Sequence, residues 1–430
     1  MEAQNKDQIL QNLKKKIEAD MQHLDKLYQY LHQNPEISKQ EKQSSERMIA
    51  ELESLKISVY KGFGNYGFVG IVENGEGPVI MVRTDLDALP LEEKTNLPYK
   101  STKKTIAEDG QETFCMHACG HDLHMTVFAG VASCMMATKD QWKGTLMLIG
   151  QPEEETGSGA ETMLKNGLFE KFKKPDFCTA YHVLPALESG KIAFRHGKTM
   201  AGINTVDLTV YGKGGHGAYP DKTIDPIVLS ARIIMDLQTI VSREISPFDE
   251  AVVTVGAIHG GIKHNIIPDE VKMKLTLRGY TDQVHKQILD AVKRICDGAA
   301  YSAGLPEDLY PKIELTESFV PPLINNEQLV NKMRSLAEAN LGKENVVDAM
   351  PSMGGEDFSE YGRTADKIPL CFLWLGIASK EFLEECKNKG QEPYPLHSPY
   401  LAPDYQKAAF TGILNMSASL IEMFKNPLKY

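Results

Sequence analysis

No stretch of the 430-residue chain approaches the roughly 20 consecutive apolar residues that a membrane-spanning helix needs, so a bilayer-crossing helix is not expected. Cationic charge is also short: 47 Lys and Arg stand against 58 Asp and Glu, a formal net charge of -11. Nucleic acid and anionic membrane surfaces both select a cationic face, so neither is expected as a partner, and a small-molecule substrate fits better. Cysteine is sparse and odd in number. The seven are scattered without the short regular spacings of a disulfide framework, which is the pattern of reduced thiols and of a cytoplasmic protein. The first forty residues lack the apolar core of a signal peptide. Ile17, Met21, Leu24, Leu27 and Leu31 instead recur at helical spacing and predict an amphipathic helix that Asn34-Pro35 ends.

Apolar material is ample, at 42% of residues, and this length predicts two or three domains whose segments can interleave. Apolar runs at 66–72, 79–83, 145–150 and 177–182 read as buried strands, and they alternate with helical stretches at 123–137 and 159–166. That alternation predicts an α/β sheet flanked by helices, with ligands gathered at the strand carboxyl ends after Asp85-Leu-Asp87, Gln151 and His182. From about residue 201 the rhythm becomes strand 205–211, helix 226–242, strands 251–259 and 270–278, helix 282–302 and strand 312–316. This β-α-β-β-α-β order is ferredoxin-like. The chain then returns to a helix at 326–340, a strand at 369–375 and a final helix. A small domain over 201–317 is thus expected inside a larger one formed by 1–200 and 318–430. Residues 381–390 read as a charged loose segment.

Chemistry is concentrated in Cys115-Met-His-Ala-Cys-Gly-His-Asp-Leu-His124, which packs five soft or borderline ligand side chains into ten residues. Thiolate and imidazole together point to a divalent metal. Within it Cys119-Gly-His121 sets two ligands one residue apart, and the glycine allows the tight backbone this spacing needs. The competing reading is a buried cysteine beside a histidine that caps a helix. Glu153-Glu154-Glu155 after a buried strand supplies carboxylates for a metal and for proton transfer, or else a solvated helix start. A dinuclear centre would offset the repulsion of three carboxylates at one strand end. His182, taken alone, reads equally as a core histidine, and His397 as an exposed loop residue. Lys213-Gly-Gly-His216-Gly-Ala-Tyr-Pro220 presents a histidine on a glycine loop, Asn265 and Arg278 are further polar groups of the inserted domain, and Gly354-Gly355-Glu-Asp-Phe358 is a helix-start signal able to bind a carboxylate.

Seven motifs occur in order: His32-Gln-Asn-Pro-Glu36, Arg83-Thr-Asp-Leu-Asp-Ala-Leu-Pro90, Met116-His-Ala-Cys-Gly-His-Asp-Leu-His124, Gln151-Pro-Glu-Glu-Glu155, Gly214-Gly-His-Gly-Ala-Tyr-Pro220, Asn265-Ile-Ile-Pro-Asp269 and Gly355-Glu-Asp-Phe358. In this the chain resembles the two-metal aminoacylase and carboxypeptidase superfamily, in the branch of hippurate hydrolases and auxin–amino acid conjugate hydrolases. The resemblance implies a zinc-peptidase-like catalytic domain interrupted by a lid or dimerisation domain, and a homodimer. It implies two divalent ions, zinc or manganese with cobalt or nickel as alternatives, held by Cys119, His121, Glu155, His182 and His397, with Cys119 bridging. Glu154 is implied as general base, Asp87 as a supporting aspartate, and His216 from the partner subunit as oxyanion donor. Asn265, Arg278 and Gly355 are implied at the substrate. Glu153 and Thr156 stand where relatives often carry a small residue and a glycine, and Lys274-Leu-Thr-Leu277 lacks the Gly-Thr often found before the arginine.

The function so implied is hydrolysis of the amide bond in N-acyl-amino acids, with N-acetyl, N-benzoyl or similar acyl groups. Two alternatives stand beside it. One is a metallo-dipeptidase or carboxypeptidase acting on free peptides, which requires a residue to bind the ammonium group. The other is a metal-dependent binding protein without catalysis, whose signature would be loss of Glu154 or of a ligand.

Overall fold

In the computed structural model, residues 2–315 and 319–428 are described. The chain divides into two compact units, one of Met1–Thr199, Ile324–Pro351 and Asp357–Tyr430, the other of Met200–Leu323 and Ser352–Glu356. The expected boundary at 317–318 and the last residue of the expected 312–316 strand lie outside the described residues. The short return of Ser352–Glu356 to the inserted unit has no counterpart in the sequence reading.

The larger unit is built on an eight-stranded sheet. Its order is Ser58–Lys61, Phe68–Asn74, Gly144–Gln151, Val79–Asp85, Phe177–Glu188, Leu370–Ala378, Ile192–Phe194 and Val346–Asp348. Gly144–Gln151, Val79–Asp85, Phe177–Glu188 and Leu370–Ala378 pair in parallel, so their carboxyl ends share one edge. Three of these strands are buried along their whole length, as expected where helices cover both faces. The chain leaves Val79–Asp85 for a neighbour on one side and then on the other, which opens a crevice at that carboxyl edge. Glu2–Gln33, His121–Ala137 and Tyr405–Lys425 supply much of the apolar cover through Leu13, Ile17, Leu27, Val127, Phe128, Ile413 and Leu420.

The inserted unit has a four-stranded sheet ordered Ala251–Gly260, Glu270–Gly279, Gly202–Tyr211 and Lys312–Leu315, with every neighbouring pair antiparallel. In chain order this is second, third, first, fourth, the ferredoxin-like arrangement. Alternate residues of Gly202–Tyr211 are buried, and Val206, Leu208 and Val210 pack with Leu229 and Ile233 of helix Pro226–Thr239 and Ile288 and Val292 of helix Asp282–Ser302.

Two local expectations are corrected. The charged segment 381–390 is the helix Lys380–Lys389. Ser379 caps it by accepting from the Phe382 amide, Gly390 closes it in the left-handed conformation, and Cys386 is its buried contact. Its many charges lie on the solvent side, where Lys389 pairs with Glu385 one turn away. Second, the strand expected to end at His182 runs on to Glu188, so His182 projects from mid-strand rather than from the strand's end. Among the described residues, no helix is long and apolar enough to cross a membrane.

The first helix is tied to the rest of the unit through a buried charge. His32 Nδ1 donates to Asp122 Oδ2 at 2.7 Å and Nε2 to Glu93 Oε2 at 3.1 Å, with the ring edge-on to Tyr99. Burial works against the charged imidazole, but its hydrogen bonds to Asp122 and Glu93 outweigh it and raise its pKa from 6.5 to about 9. A folded value above the unfolded one means that the stabilisation is complete below about pH 6.5 and is lost as pH rises through about 9. The urea midpoint of the native chain is therefore expected to fall between pH 6.5 and about 9.5. His32→Gln should cost about 3–5 kcal/mol at pH 6.5 by leaving two buried carboxylates unpaired, and should flatten that pH dependence. An unchanged pH slope in the variant would exclude His32 as its source.

Candidate metal centre

The crevice at the carboxyl edge is filled from the loops that carry Asp87, Cys119, Glu154 and His397 and from the strand of His182. Gly120 is the residue before helix His121–Ala137 and takes φ 78°, and a Cβ there would stand 2.6 Å from Val183 Cγ2. Only glycine satisfies both conditions, and it is what turns Cys119 and His121 toward the same space. Asp87, two residues past strand Val79–Asp85, accepts from Ser38 Oγ at 2.6 Å and from the Glu155 amide at 2.8 Å. It thereby fixes the loop after Gly144–Gln151 that carries Glu154 and Glu155.

Hydrogen bonds commit one nitrogen of each of the His121 and His182 imidazoles and leave the other facing the pocket. His121 Nδ1 donates to the Asp87 carbonyl at 2.8 Å, while its buried Nε2 has no hydrogen-bond partner. His182 Nδ1 donates to the Val183 carbonyl at 2.9 Å and turns Nε2 toward Cys119 Sγ, 3.4 Å away. Two ligands of one tetrahedral zinc, at bond lengths of about 2.0 and 2.3 Å, stand roughly 3.5 Å apart. Glu155 Oε2 lies 3.4 Å from His397 Nε2, and the buried Glu155 Oε1 has no hydrogen-bond partner. The ligand atoms of Cys119, His121 and His182 fall within 4.8 Å of one another, as do those of Cys119, Glu155 and His397. Cys119 belongs to both groups. Unpartnered buried donor atoms, ligand-like spacings and a shared thiol fit a pair of divalent ions.

The electrostatics point the same way. Asp85, Asp87, Glu154 and Glu155 surround His121, with the Asp85 and Glu154 oxygens each 3.8 Å from Nε2. Burial, and then the Glu155 and Glu154 carboxylates, push the Cys119 thiol well above its usual range. Burial also pushes Glu155 up. His182 is held down by burial and by His124 and His121, which leaves it neutral with a lone pair to give. A cation in this pocket would reverse the penalties on thiolate and carboxylate.

All five sequence-designated ligands are thus brought together in the larger unit, with Glu154 beside them. His397 differs from the other four: its side chain is 55% exposed and its backbone takes φ 64°, held by a hydrogen bond from its amide to the Ala118 carbonyl at 2.8 Å. Glu153 does not join the set. It takes φ 59° and directs its carboxylate to Asn65 Nδ2 and Ser158 Oγ, at 2.9 and 3.1 Å. The reversed backbone at Glu153 sends its side chain away from the pair that follows.

The other designated residues lie in the inserted unit. His216 and Asn265 meet there, since strand Gly215–His216 pairs with Ile266–Ile267 and the Gly217 amide donates to the Asn265 carbonyl at 2.9 Å. Arg278 Nη1 donates to the Met353 carbonyl, which places Arg278 next to the segment of Gly355. At Gly355 a Cβ would come within 2.4 Å of Ile203 Cδ1, so a larger residue there would have to displace the Ile203 side chain.

A buried polar group beside these side chains has no counterpart among the roles expected from the sequence. Arg83 Nη1 meets Asp85 Oδ2 at 2.8 Å, and Asp85 Oδ1 accepts from His124 Nδ1 at 2.8 Å. Asp357 Oδ1 accepts from Gln151 Nε2 at 2.6 Å. One signal was available: His124 follows His121 by three residues and so shares its helix face.

The profile of peptidase family M20/M25/M40 matches residues 81–391. The chain is 34% identical over 400 residues to an N-acetyldiaminopimelate deacetylase of Lactobacillus acidophilus, covering 91% of this chain and 96% of that one. It is 33% identical over 388 residues to an IAA-amino acid hydrolase of Arabidopsis thaliana, covering 90% and 82%. Its structure resembles that of a dinuclear metal binding peptidase of Bacillus subtilis, with TM-score 0.74 and 27% identity over 94% of this chain and 99% of that one. The chain belongs to peptidase family M20/M25/M40.

Proposed function

We propose that the chain is a metal-dependent amidohydrolase that splits N-acyl-amino acids into a carboxylic acid and a free amino acid. The observation that carries this reading is the pair of ligand groups sharing Cys119, with the Glu154 carboxylate at their edge. The names of the relatives, which describe removal of acetyl and auxin groups from amino acids, support the acyl side of the assignment.

Cys119, His121 and His182 would hold one ion and Cys119, Glu155 and His397 the other, with zinc or manganese the first choices and cobalt or nickel alternatives. When bound, such ions supply Lewis acidity to the scissile carbonyl and acidify the attacking water. Glu154 takes a proton from that water as its oxygen adds to the carbonyl carbon. As the C–N bond breaks, Glu154 returns the proton to the amine nitrogen. Asp87 orients His121 through its carbonyl and the Glu154-Glu155 loop through its carboxylate. His216 donates to the developing oxyanion, and Asn265, Arg278 and Gly355 engage the amino-acid carboxylate.

The inserted unit is the proposed lid and dimerisation element, with His216 acting on the partner subunit. Strand Ala251–Gly260 is an edge of its sheet, and Ile227, Val228, Met235 and Ile258 are exposed on that unit. The seven cysteines are free and buried, which suits a reducing cytoplasm.

Amine release from N-acetyl- and N-benzoyl-amino acids, set against dipeptides with free amino termini, tests the reading on the zinc- or manganese-loaded chain. Faster release from the acylated set is expected, and preference for free dipeptides would move the chain to the peptidase reading. Glu154→Ala should keep both ions by elemental analysis while kcat falls by about 10²–10⁴; retained turnover would remove Glu154 from its role. Cys119→Ala should lose metal from both positions. Because the thiol must give up its proton and is held high, metal affinity of the native chain should weaken as pH falls. Competition with a chelator between pH 6 and 8 checks this, and a pH-independent affinity would overturn the thiolate assignment.

A further inference from the structure

We infer that His124, held by Asp85, is a positioning residue that sets the spacing between the imidazoles of His121 and His182. The inference rests on the metal-centre reading above.

Three imidazoles crowd this corner, with ring centroids 5.3 Å apart for His121 and His124, 4.8 Å for His124 and His182, and 6.0 Å for His121 and His182. Position alone would make His124 a ligand, and its Nδ1 or Nε2 does fall in a buried group with Asp85 and His121. Its hydrogen bonds say otherwise. Nδ1 donates to Asp85 Oδ1 at 2.8 Å, and Nε2 accepts from the Val183 amide at 3.0 Å. Both nitrogens are committed, whereas His121 and His182 each keep Nε2 turned into the pocket.

The bond to Val183 reaches the residue next to His182 in the strand Phe177–Glu188. Gly120 touches the same residue from the other end of the ligand loop, since a Cβ at Gly120 would lie 2.6 Å from Val183 Cγ2. Val183 is therefore gripped twice by the start of helix His121–Ala137, once by van der Waals contact and once by the His124 ring. That grip sets where His182 Nε2 stands against Cys119 Sγ and His121 Nε2.

Asp85 gives the ring its fixed partner. It is fully buried, meets Arg83 Nη1 at 2.8 Å, and lies at the carboxyl end of the strand Val79–Asp85. Arg83 is steadied in turn by Gln151 Oε1 at 3.0 Å and Asp357 Oδ1 at 3.2 Å. The path Arg83, Asp85, His124, Val183 thus carries the rigidity of the sheet to the ligand that the Phe177–Glu188 strand supplies. Outer partners of metal ligands typically contribute about 10–100-fold to metal affinity.

Cobalt(II) titration of the metal-free full chain tests this, read by visible absorption and by competition with a chelator. The native chain should take up two equivalents. His124→Ala is expected to hold one of them, the ion of Cys119, His121 and His182, about 10–100-fold more weakly, with altered d–d bands. The equivalent involving Glu155 and His397 should be spared. Two equivalents bound within about twofold of native affinity, with the native spectrum, would overturn the inference. If His124→Ala does not fold by circular dichroism, His124→Asn is read by the same criteria, because its amide keeps the bond to Asp85 but is too short to reach Val183. A native chain that binds no cobalt would instead defeat the metal-centre reading itself.

Discussion

Asp85, Asp87, Glu154, Glu155 and the thiol of Cys119 converge on a buried pocket around His121, and the surrounding structure serves to hold that concentration of negative or potentially negative groups in place. In a pocket closed to water, such groups repel one another and favour their neutral forms. Cys119 and Glu155 are displaced in that direction, whereas Asp85 and Asp87, despite burial, are held low by His121 and their other partners. An added positive charge would stabilise the ionised thiolate of Cys119 and carboxylate of Glu155. The two ligand groups that meet at Cys119 are the geometric answer to that electrostatic demand.

Precision comes from the parallel strands. Val79–Asp85, Gly144–Gln151 and Phe177–Glu188 end or pass at one edge, and each delivers a ligand or the support of one within a few residues. Hydrogen bonds then decide which face of each side chain is free. The carbonyls of Asp87 and Val183 take one nitrogen of His121 and His182 and leave the other for a metal. Where the chain must bend sharply to achieve this, it accepts left-handed backbone at Gly120, Glu153 and His397. Non-glycine residues in that conformation cluster at functional sites, where their surroundings hold them.

Adjacent-residue chemistry was legible in the sequence because it needs no long-range knowledge. Cys119-Gly-His121 and Glu154-Glu155 are close in the chain and close in space. The alternation of buried strands and helices likewise gave the α/β unit and the ferredoxin-like order, since each element declares its own period. The segment 381–390 is a helix despite its charge because Ser379 caps it and Gly390 stops it, and both signals are visible in the sequence. Glu153 is not distinguishable from its two neighbours by sequence, because the backbone reversal that turns it away is held by Glu41 and Asn65, remote in the chain, as well as by nearby Ser158.

The sequence by itself determined which residue types are present for metal and proton chemistry, that they stand in motif order, and that one domain interrupts another. These follow from local composition and periodicity. Only the tertiary structure decided that Cys119 is common to two of the candidate ligand groups, that His182 reaches them from mid-strand, and that both nitrogens of His124 are already bonded. A ligand is distinguished from a support by which nitrogen is already bonded. That depends on partners such as Asp85 and Val183, which the fold brings to His124 from 39 and 59 residues away.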